Sequence, residues 1–132
     1  MRRAMAVGML GLGMLAAATG CAPQACPAIG WISVVEVDAT AVGDAVFVQL
    51  CVNATCSPAP DSSEADAPAI TVTTDEHTWS FGFIDLSTPE NVTVRVYRAG
   101  ALTDETEHAV DWTHSTEACG GPSIADPIVL GG

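Results

Sequence analysis

Length, composition and charge already argue against several classes of function. The chain has 132 residues, no lysine, four basic residues against sixteen acidic ones, and a formal net charge of −12. This length suits one domain with a substantial core, and the negative charge argues against nucleic-acid binding and against electrostatic docking to anionic membranes.

The first twenty-one residues have the pattern of a signal peptide. Met1-Arg2-Arg3 is a cationic start, residues 4–18 carry no charge, and small residues then lead to Cys21. A positive start, an apolar stretch of this length and a small-residue exit are typical of a secretory leader. The apolar stretch is also too short to cross about 30 Å of hydrocarbon. We therefore expect residues 1–20 to be removed as a signal peptide.

The end of this leader resembles the lipobox of bacterial lipoproteins, because Thr19 and Gly20 precede Cys21. The resemblance implies that Cys21 receives a diacylglycerol and that the leader is cut off before it. The protein would then be held by lipid at the outer face of the bacterial cell membrane. Ala18 departs from the pattern, since Leu, Val or Ile is commoner there. The alternative is ordinary cleavage near residues 16–18 and release as a secreted protein.

Five cysteines are an odd number, which in an exported protein calls for an explanation. Lipidation of Cys21 supplies one and leaves four cysteines to form disulfides outside the reducing cytosol. Three pairings are possible. We favour Cys51–Cys56, because four residues between them suit a hairpin loop, together with Cys26–Cys119.

From Trp31 onward the chain consists of short β-prone stretches separated by turn residues. Segments 46–52, 70–74 and 92–97 alternate with a period of two. Trp79, Phe81 and Phe83 fall on one face, and three aromatic side chains bury a large area together. Turns are expected at Gly43-Asp44, Asp75-Glu76 and Ala99-Gly100, and a last strand at Ile128-Val129-Leu130.

Six to seven short strands at this spacing predict an all-β fold, a single two-sheet antiparallel sandwich. Residues 21–29 are the expected membrane tether and residues 30–132 the sandwich domain. Residues 57–68 hold prolines, serines and acids, and we expect a disordered acidic loop there.

Two further resemblances concern the domain. The run from Trp79 to Gly100, with a proline before an alternating strand and a glycine turn after it, is similar to immunoglobulin-like and transthyretin-like modules. The segments 26–30, 49–51 and 119–122 behind a lipobox resemble small actinobacterial lipoproteins of unknown function. That group has no known activity, so the resemblance implies no functional residue except Cys21.

The three histidines are candidate ligands of a transition metal. His108 and His114 are six residues apart, which in an extended strand is roughly 20 Å and too far for one ion. His77 lies beside acidic residues, but its distance to the other two depends on the fold. We interpret all three as separate surface histidines and predict no metal site.

The sequence also gives little support for a calcium site or for a catalytic residue. Asp61, Glu64 and Asp66 offer the oxygen ligands that calcium prefers, but they lack the spacing of an EF-hand loop. No serine lies in a Gly-x-Ser-x-Gly elbow, and cysteines in disulfides have no thiolate. We therefore predict no catalytic residue and no cofactor.

Two functional classes remain. The first is a lipid-anchored, non-catalytic binding or structural module of the cell envelope, which acts through loops or a sheet edge on another envelope protein or a wall polymer. The second is a small-ligand or cation-binding protein held at the membrane and using its acidic loops.

Overall fold

The computed structural model describes residues 25–26, 30–62 and 68–131, which form two β-sheets. The predicted all-β sandwich is confirmed. Within the described residues no helix has the length and apolar character needed to span a bilayer. The described residues form ten strands, with a short 3-10 turn at Thr40–Val42: β1 (Ser33–Asp38), β2 (Phe47–Val52), β3 (Thr55–Cys56), β4 (Ile70–Asp75), β5 (Thr78–Phe83), β6 (Asn91–Arg98), β7 (Ala101–Ala109), β8 (Trp112–Thr113), β9 (Ile124–Ala125) and β10 (Ile128–Val129).

The first sheet has the order β4-β5-β1-β9-β8, and β10 also pairs with β1. The second sheet has the order β3-β2-β6-β7 and is antiparallel throughout. Two details differ from the sequence prediction. Four of the strands are only two residues long, which brings the number to ten rather than six or seven. In addition, β9 and β10 lie along the same edge of β1, and both pair with it in parallel.

The core lies between the two sheets and follows the predicted alternation. Val92, Val94 and Val96 of β6 are buried and face Phe81 and Phe83 of the first sheet in one hydrophobic cluster. Burying each such side chain stabilises the fold by about 1.5–3 kcal/mol relative to its exposure. The alternation of valines in β6 therefore determines which face of the second sheet points inward.

β2 departs from this pattern because both of its faces are buried. The face of β2 that points away from the core includes Gln49, which is only 5% exposed. Its amide nitrogen donates to the carbonyl of Ser57 at 2.8 Å, and its amide oxygen accepts from the hydroxyl of Tyr97 at 2.9 Å. Ser57 itself is 2% exposed. The first residue of the expected disordered loop is thus packed on the sheet, whereas residues 63–67 lie outside the described residues.

The two ends of the sandwich carry different groups. At the end where β1 begins, Cys26 is joined to Cys119, and the ring of Trp31 lies beside Gly120. We call this end the bridge pole. At the opposite end, the far pole, the rings of Phe47 and Trp79 meet at 5.0 Å.

Candidate functional site: the exposed edge strand β7 and its cleft

The longest strand of the protein, β7, is also the most exposed. Eight of its nine residues are exposed, the exception being the half-buried His108. It pairs with β6 on one side, and its other side is an edge of the second sheet. Ala99 and Gly100 make the turn between the two strands with φ of 48° and 78°. Positive φ at both central residues is the geometry that matches the twist of a two-residue hairpin.

The ladder between β6 and β7 shows which backbone groups of β7 are free to bond outward. The amide of Val110 donates to the carbonyl of Glu90 at 2.8 Å, one step beyond the end of the ladder. In an antiparallel pair, residues that bond to the neighbouring strand alternate with residues that do not. The backbone amides of Glu105, Glu107 and Ala109 therefore point away from β6, toward the free edge.

A β-bulge limits this edge at its N-terminal end. Val96 lies opposite Asp104 while Tyr97 lies opposite Leu102, so Thr103 is an extra residue in β7. The Thr103 hydroxyl donates to the carbonyl of Val96 at 3.1 Å, which fixes the bulge. Bulges bend a strand and disrupt its regular pairing. The regular part of the edge is consequently residues 104–109.

The inner face of β7 borders a cleft rather than the core. Asp104, Thr106 and His108 lie opposite the buried valines of β6, but all three are polar. The Thr106 hydroxyl and the His108 Nε2 atom are 2.8 Å apart. The cleft has a volume of about 360 Å³ and is lined by Val42, Val96, Arg98, Thr103, Asp104, Thr106, His108, Leu130 and Gly131.

The edge is acidic. Asp104, Glu105 and Glu107 follow one another within four residues, and on the outer face Arg95 donates from Nε to Glu105 Oε2 at 2.5 Å. This hydrogen bond to a carboxylate raises the pKa of Arg95. Arg98 lines the cleft and donates to the carbonyl of Val42. The negative charge of the edge is therefore only partly compensated.

The structure contains two disulfides, in the pairing that the sequence favours. Cys26 is bonded to Cys119 with a Cα–Cα distance of 5.1 Å, and Cys51 to Cys56 with 4.0 Å. Cys51 and Cys56 face each other across the β2–β3 hairpin. The short distance fits a pair without backbone hydrogen bonds, in which side chains lie closest. Cys21, the predicted lipidation site, lies outside the described residues.

The other candidate residues do not come together. His77 pairs with Asp44 at 3.2 Å, His114 contacts the Ser123 hydroxyl at 2.9 Å, and His108 lies in the cleft. In the described part of the chain no three His, Cys, Asp or Glu residues are grouped to hold a metal ion. Of the acidic loop residues, Asp61 is exposed, and Glu64 and Asp66 lie outside the described residues.

The sequence alone did not identify this site. Asp104, Glu105 and Glu107 are acidic residues without apolar alternation, so the sequence predicts no strand there. The available signal was the Ala99-Gly100 turn directly after an alternating strand, which requires a second strand to close the hairpin. The edge of β7 and the cleft beside it are thus established by geometry. The chain matches no protein-family model, no curated protein and no solved structure.

Proposed function

We propose that this protein is a lipid-anchored, non-catalytic module of the bacterial cell envelope that binds an extended segment of another envelope protein along β7. The observation that carries the proposal is the free edge over residues 104–109, with both faces of the strand exposed. Extended peptides bind such edges by adding a strand, and the backbone hydrogen bonds supply the affinity.

The added strand would bond to the outward backbone groups of Glu105, Glu107 and Ala109. Alternate side chains of the bound segment would then lie over the cleft, beside Asp104 and His108. Pockets for alternate side chains supply the specificity in this mode of binding. The carboxylates favour a segment that carries basic side chains, since opposite potentials attract the partner and select it.

The location at the outer face of the membrane rests on residues that the structure does not describe. The cationic start, the apolar stretch and the small residues before Cys21 support export and lipidation. The pairing of the other four cysteines adds support, because it leaves Cys21 as the odd one. The similarity to small actinobacterial lipoproteins supports the same assignment.

A second candidate is a membrane-held carrier of a small ligand or cation, favoured by the 360 Å³ volume of the cleft. Calcium, zinc and copper titrated against the melting temperature distinguish the two functions. A ligand that binds only the folded state raises the melting temperature. A module that binds an extended peptide should not respond in this way to calcium, zinc or copper.

The decisive experiment uses the backbone of β7. Proline lacks an N–H group and is tolerated where that group faces solvent. Glu107→Pro therefore keeps the bonds to β6 and blocks strand addition, while Glu107→Ala removes the same carboxylate and keeps the amide. Each variant is produced as full-length protein in its native cell and subjected to proximity labelling.

We expect one envelope protein to be labelled by the wild type and by Glu107→Ala, and to be lost with Glu107→Pro. A peptide of the labelled protein should then bind the purified wild type and fail to bind Glu107→Pro. Equal labelling by the alanine and proline variants would contradict binding along β7, provided that both variants melt at similar temperatures.

A further inference from the structure

Several large apolar side chains at the bridge pole are exposed, although side chains of this kind are usually buried. They belong to the segment before β1, to the segment after β5 and to β9. Their exposed fractions range from 38% to 59%. We call this group the apolar patch, and its members are Trp31, Ile32, Ile84, Leu86 and Ile124.

The register of the first sheet makes the three isoleucines neighbours. Val34 pairs with Gly82 on one side and with Ile124 on the other. Ile32 and Ile84 are each two residues from this row, and side chains two residues apart in a strand share a face. The Cδ1 atom of Ile32 lies over Gly82, 3.1 Å from where a Cβ atom would be. All three isoleucines thus lie on the outer face of the first sheet.

Two contacts place Leu86 and Trp31 at the bridge pole as well. The Ser33 hydroxyl donates to the carbonyl of Leu86 at 3.3 Å, which holds the segment after β5 against the start of β1. Trp31 lies beside Gly120, the residue after the bridged Cys119. The patch and the disulfide that ties down the N-terminal segment therefore share one pole.

The two arginines of the described residues lie away from the apolar patch, and an acidic residue lies at its margin. Arg95 is bonded to Glu105 on the outer face of the second sheet, and Arg98 lies near Val42 at the far pole. Asp85 lies between Ile84 and Leu86 in the sequence, and its hydrogen bonds to Ser87 hold its pKa below the usual value. A carboxylate is costly in hydrocarbon, so this margin of the patch stays at the level of the headgroups.

We infer that the apolar patch lies against the lipid bilayer, so that the domain itself contacts the membrane. This inference rests on the proposed lipidation of Cys21. Only four residues separate Cys21 from Cys26, and five peptide steps span at most about 18 Å. An anchored chain must therefore hold the bridge pole at the membrane surface. Tryptophan and aliphatic side chains suit the boundary between headgroups and acyl chains, and the free edge of β7 stays accessible beside the bilayer.

The test uses the fluorescence of full-length, lipidated protein in phosphatidylcholine vesicles whose acyl chains are brominated near the headgroup. Bromine quenches only nearby indoles, and the chain has three tryptophans. We expect brominated lipid to lower the emission of the wild type much more than that of Trp31→Phe, because Trp112 near the same pole packs against Phe83 of the core. This difference assigns the quenched signal to the patch.

A matched pair of variants tests the orientation of the domain. Ile84→Ser with Ile124→Ser makes the patch polar, whereas Leu102→Ser with Val129→Ser changes equally exposed side chains at the far pole. The patch variant should lose the quenching of Trp31, and the far-pole variant should keep it. All four positions are at least half exposed, and thermal melts check that both variants fold.

Intact mass and vesicle flotation of each sample report the anchor independently of the patch. Lipidated, floating protein whose Trp31 is not quenched would overturn this inference and leave the proposed anchor standing. Absence of lipid on the wild type would overturn both. If unlipidated Cys21→Ala protein forms a dimer that the patch variant dissociates, the patch is an interface between two copies and the inference is wrong.

Discussion

The backbone amide of Leu50 donates to the side-chain hydroxyl of Ser57 at 3.0 Å, while the amide of Ser57 donates to the carbonyl of Leu50 at 2.8 Å. In a regular antiparallel pair both bonds would use backbone groups. Here the hydroxyl replaces the carbonyl of Ser57, which instead accepts a bond from the side chain of Gln49. The hairpin of β2 and β3 thus continues one residue beyond its strands, and its last residue satisfies the buried amide groups of Leu50 and Gln49.

Ser57→Ala should destabilise the protein by about 1–3 kcal/mol, because it leaves the buried amide of Leu50 without a partner. Urea unfolding measures this change. Ser62→Ala is the control, since the Ser62 hydroxyl donates to the carbonyl of Ala59 at an exposed site and its loss should cost less than about 0.5 kcal/mol. Equal effects of the two substitutions would show that the Leu50–Ser57 bond is unimportant.

Removal of the two disulfides should have unequal effects. Cys26 and Cys119 are 93 positions apart, whereas Cys51 and Cys56 are 5 apart. In the chain-entropy model the long loop is worth about 4–5 kcal/mol and the short one about 2 kcal/mol. Replacing both members of each bridge by alanine avoids free thiols, and the melting temperature should fall further for the Cys26–Cys119 pair. A larger fall for the hairpin pair would contradict the prediction.

The carboxylate of Asp38 gives a prediction about acid stability. It accepts hydrogen bonds from the amide of Thr40 at 2.8 Å and from its hydroxyl at 2.5 Å, and these bonds lower the pKa of Asp38 below the ordinary value of 3.8. A carboxylate with a lowered folded-state pKa stabilises the protein above pH 3.8, and this contribution is lost as the pH falls through its folded value.

Thr40→Val removes the hydroxyl bond, so the pKa of Asp38 should rise toward its ordinary value and acid unfolding should begin at higher pH. Carboxyl NMR titration measures the pKa directly. Thr73→Val, on an exposed strand position, is the control and should leave the pKa of Asp38 unchanged. An unchanged value in Thr40→Val would refute the hydrogen-bonded origin of the shift.

The turn between β6 and β7 can be improved. Ala99 has a φ of 48°, a left-handed conformation that costs an ordinary residue roughly 1–2 kcal/mol but that asparagine tolerates better. Ala99→Asn should therefore stabilise the protein by about 0.5–1 kcal/mol, measured by urea unfolding. Ala101→Asn, just after the turn, should give no gain. Destabilisation by Ala99→Asn would mean that the turn has another geometry.

The proposed lipidation of Cys21 predicts that wild-type protein stays with the membrane in high salt, because two or more acyl chains hold firmly. Cys21→Ala should lose both the lipid mass and the membrane fraction, whereas Gln24→Ala should keep them. Fractionation and intact mass measure the two effects. A wild-type mature mass without lipid that starts at Thr19 would contradict lipidation.

Much of the fold was predictable because strands such as β6 bury one face and leave the other more exposed. The alternation over 92–97 corresponds to the pattern of buried and half-buried residues in β6, and Glu76 occupies the predicted turn with a φ of 51°. Phe81 and Phe83 are buried as expected. A period of two identifies such strands directly, since successive side chains point to opposite faces and only those on the inward face are buried in the core.

The candidate site was not predictable, because β7 buries neither face. Its residues, among them Thr103 and Glu107, have no apolar alternation, and the strand forms because β6 offers a partner. The parallel pairing of β1 with β9 and β10 is also invisible in the sequence. Two-residue strands have no period, and their partner is selected by the assembled sheet.

The position of β1 has a consequence for the order of folding. One side of this strand pairs with β5. The other side pairs with Ile124 of β9 and Ile128 of β10, which come far later in the chain. The hairpins β4–β5 and β6–β7 can form from neighbouring residues, whereas pairing across a long separation is slow. The first sheet is therefore completed only after most of the chain is present. A newly made molecule lacks this edge of the first sheet until then, and such an incompletely folded chain is what the proposed export across a membrane would require.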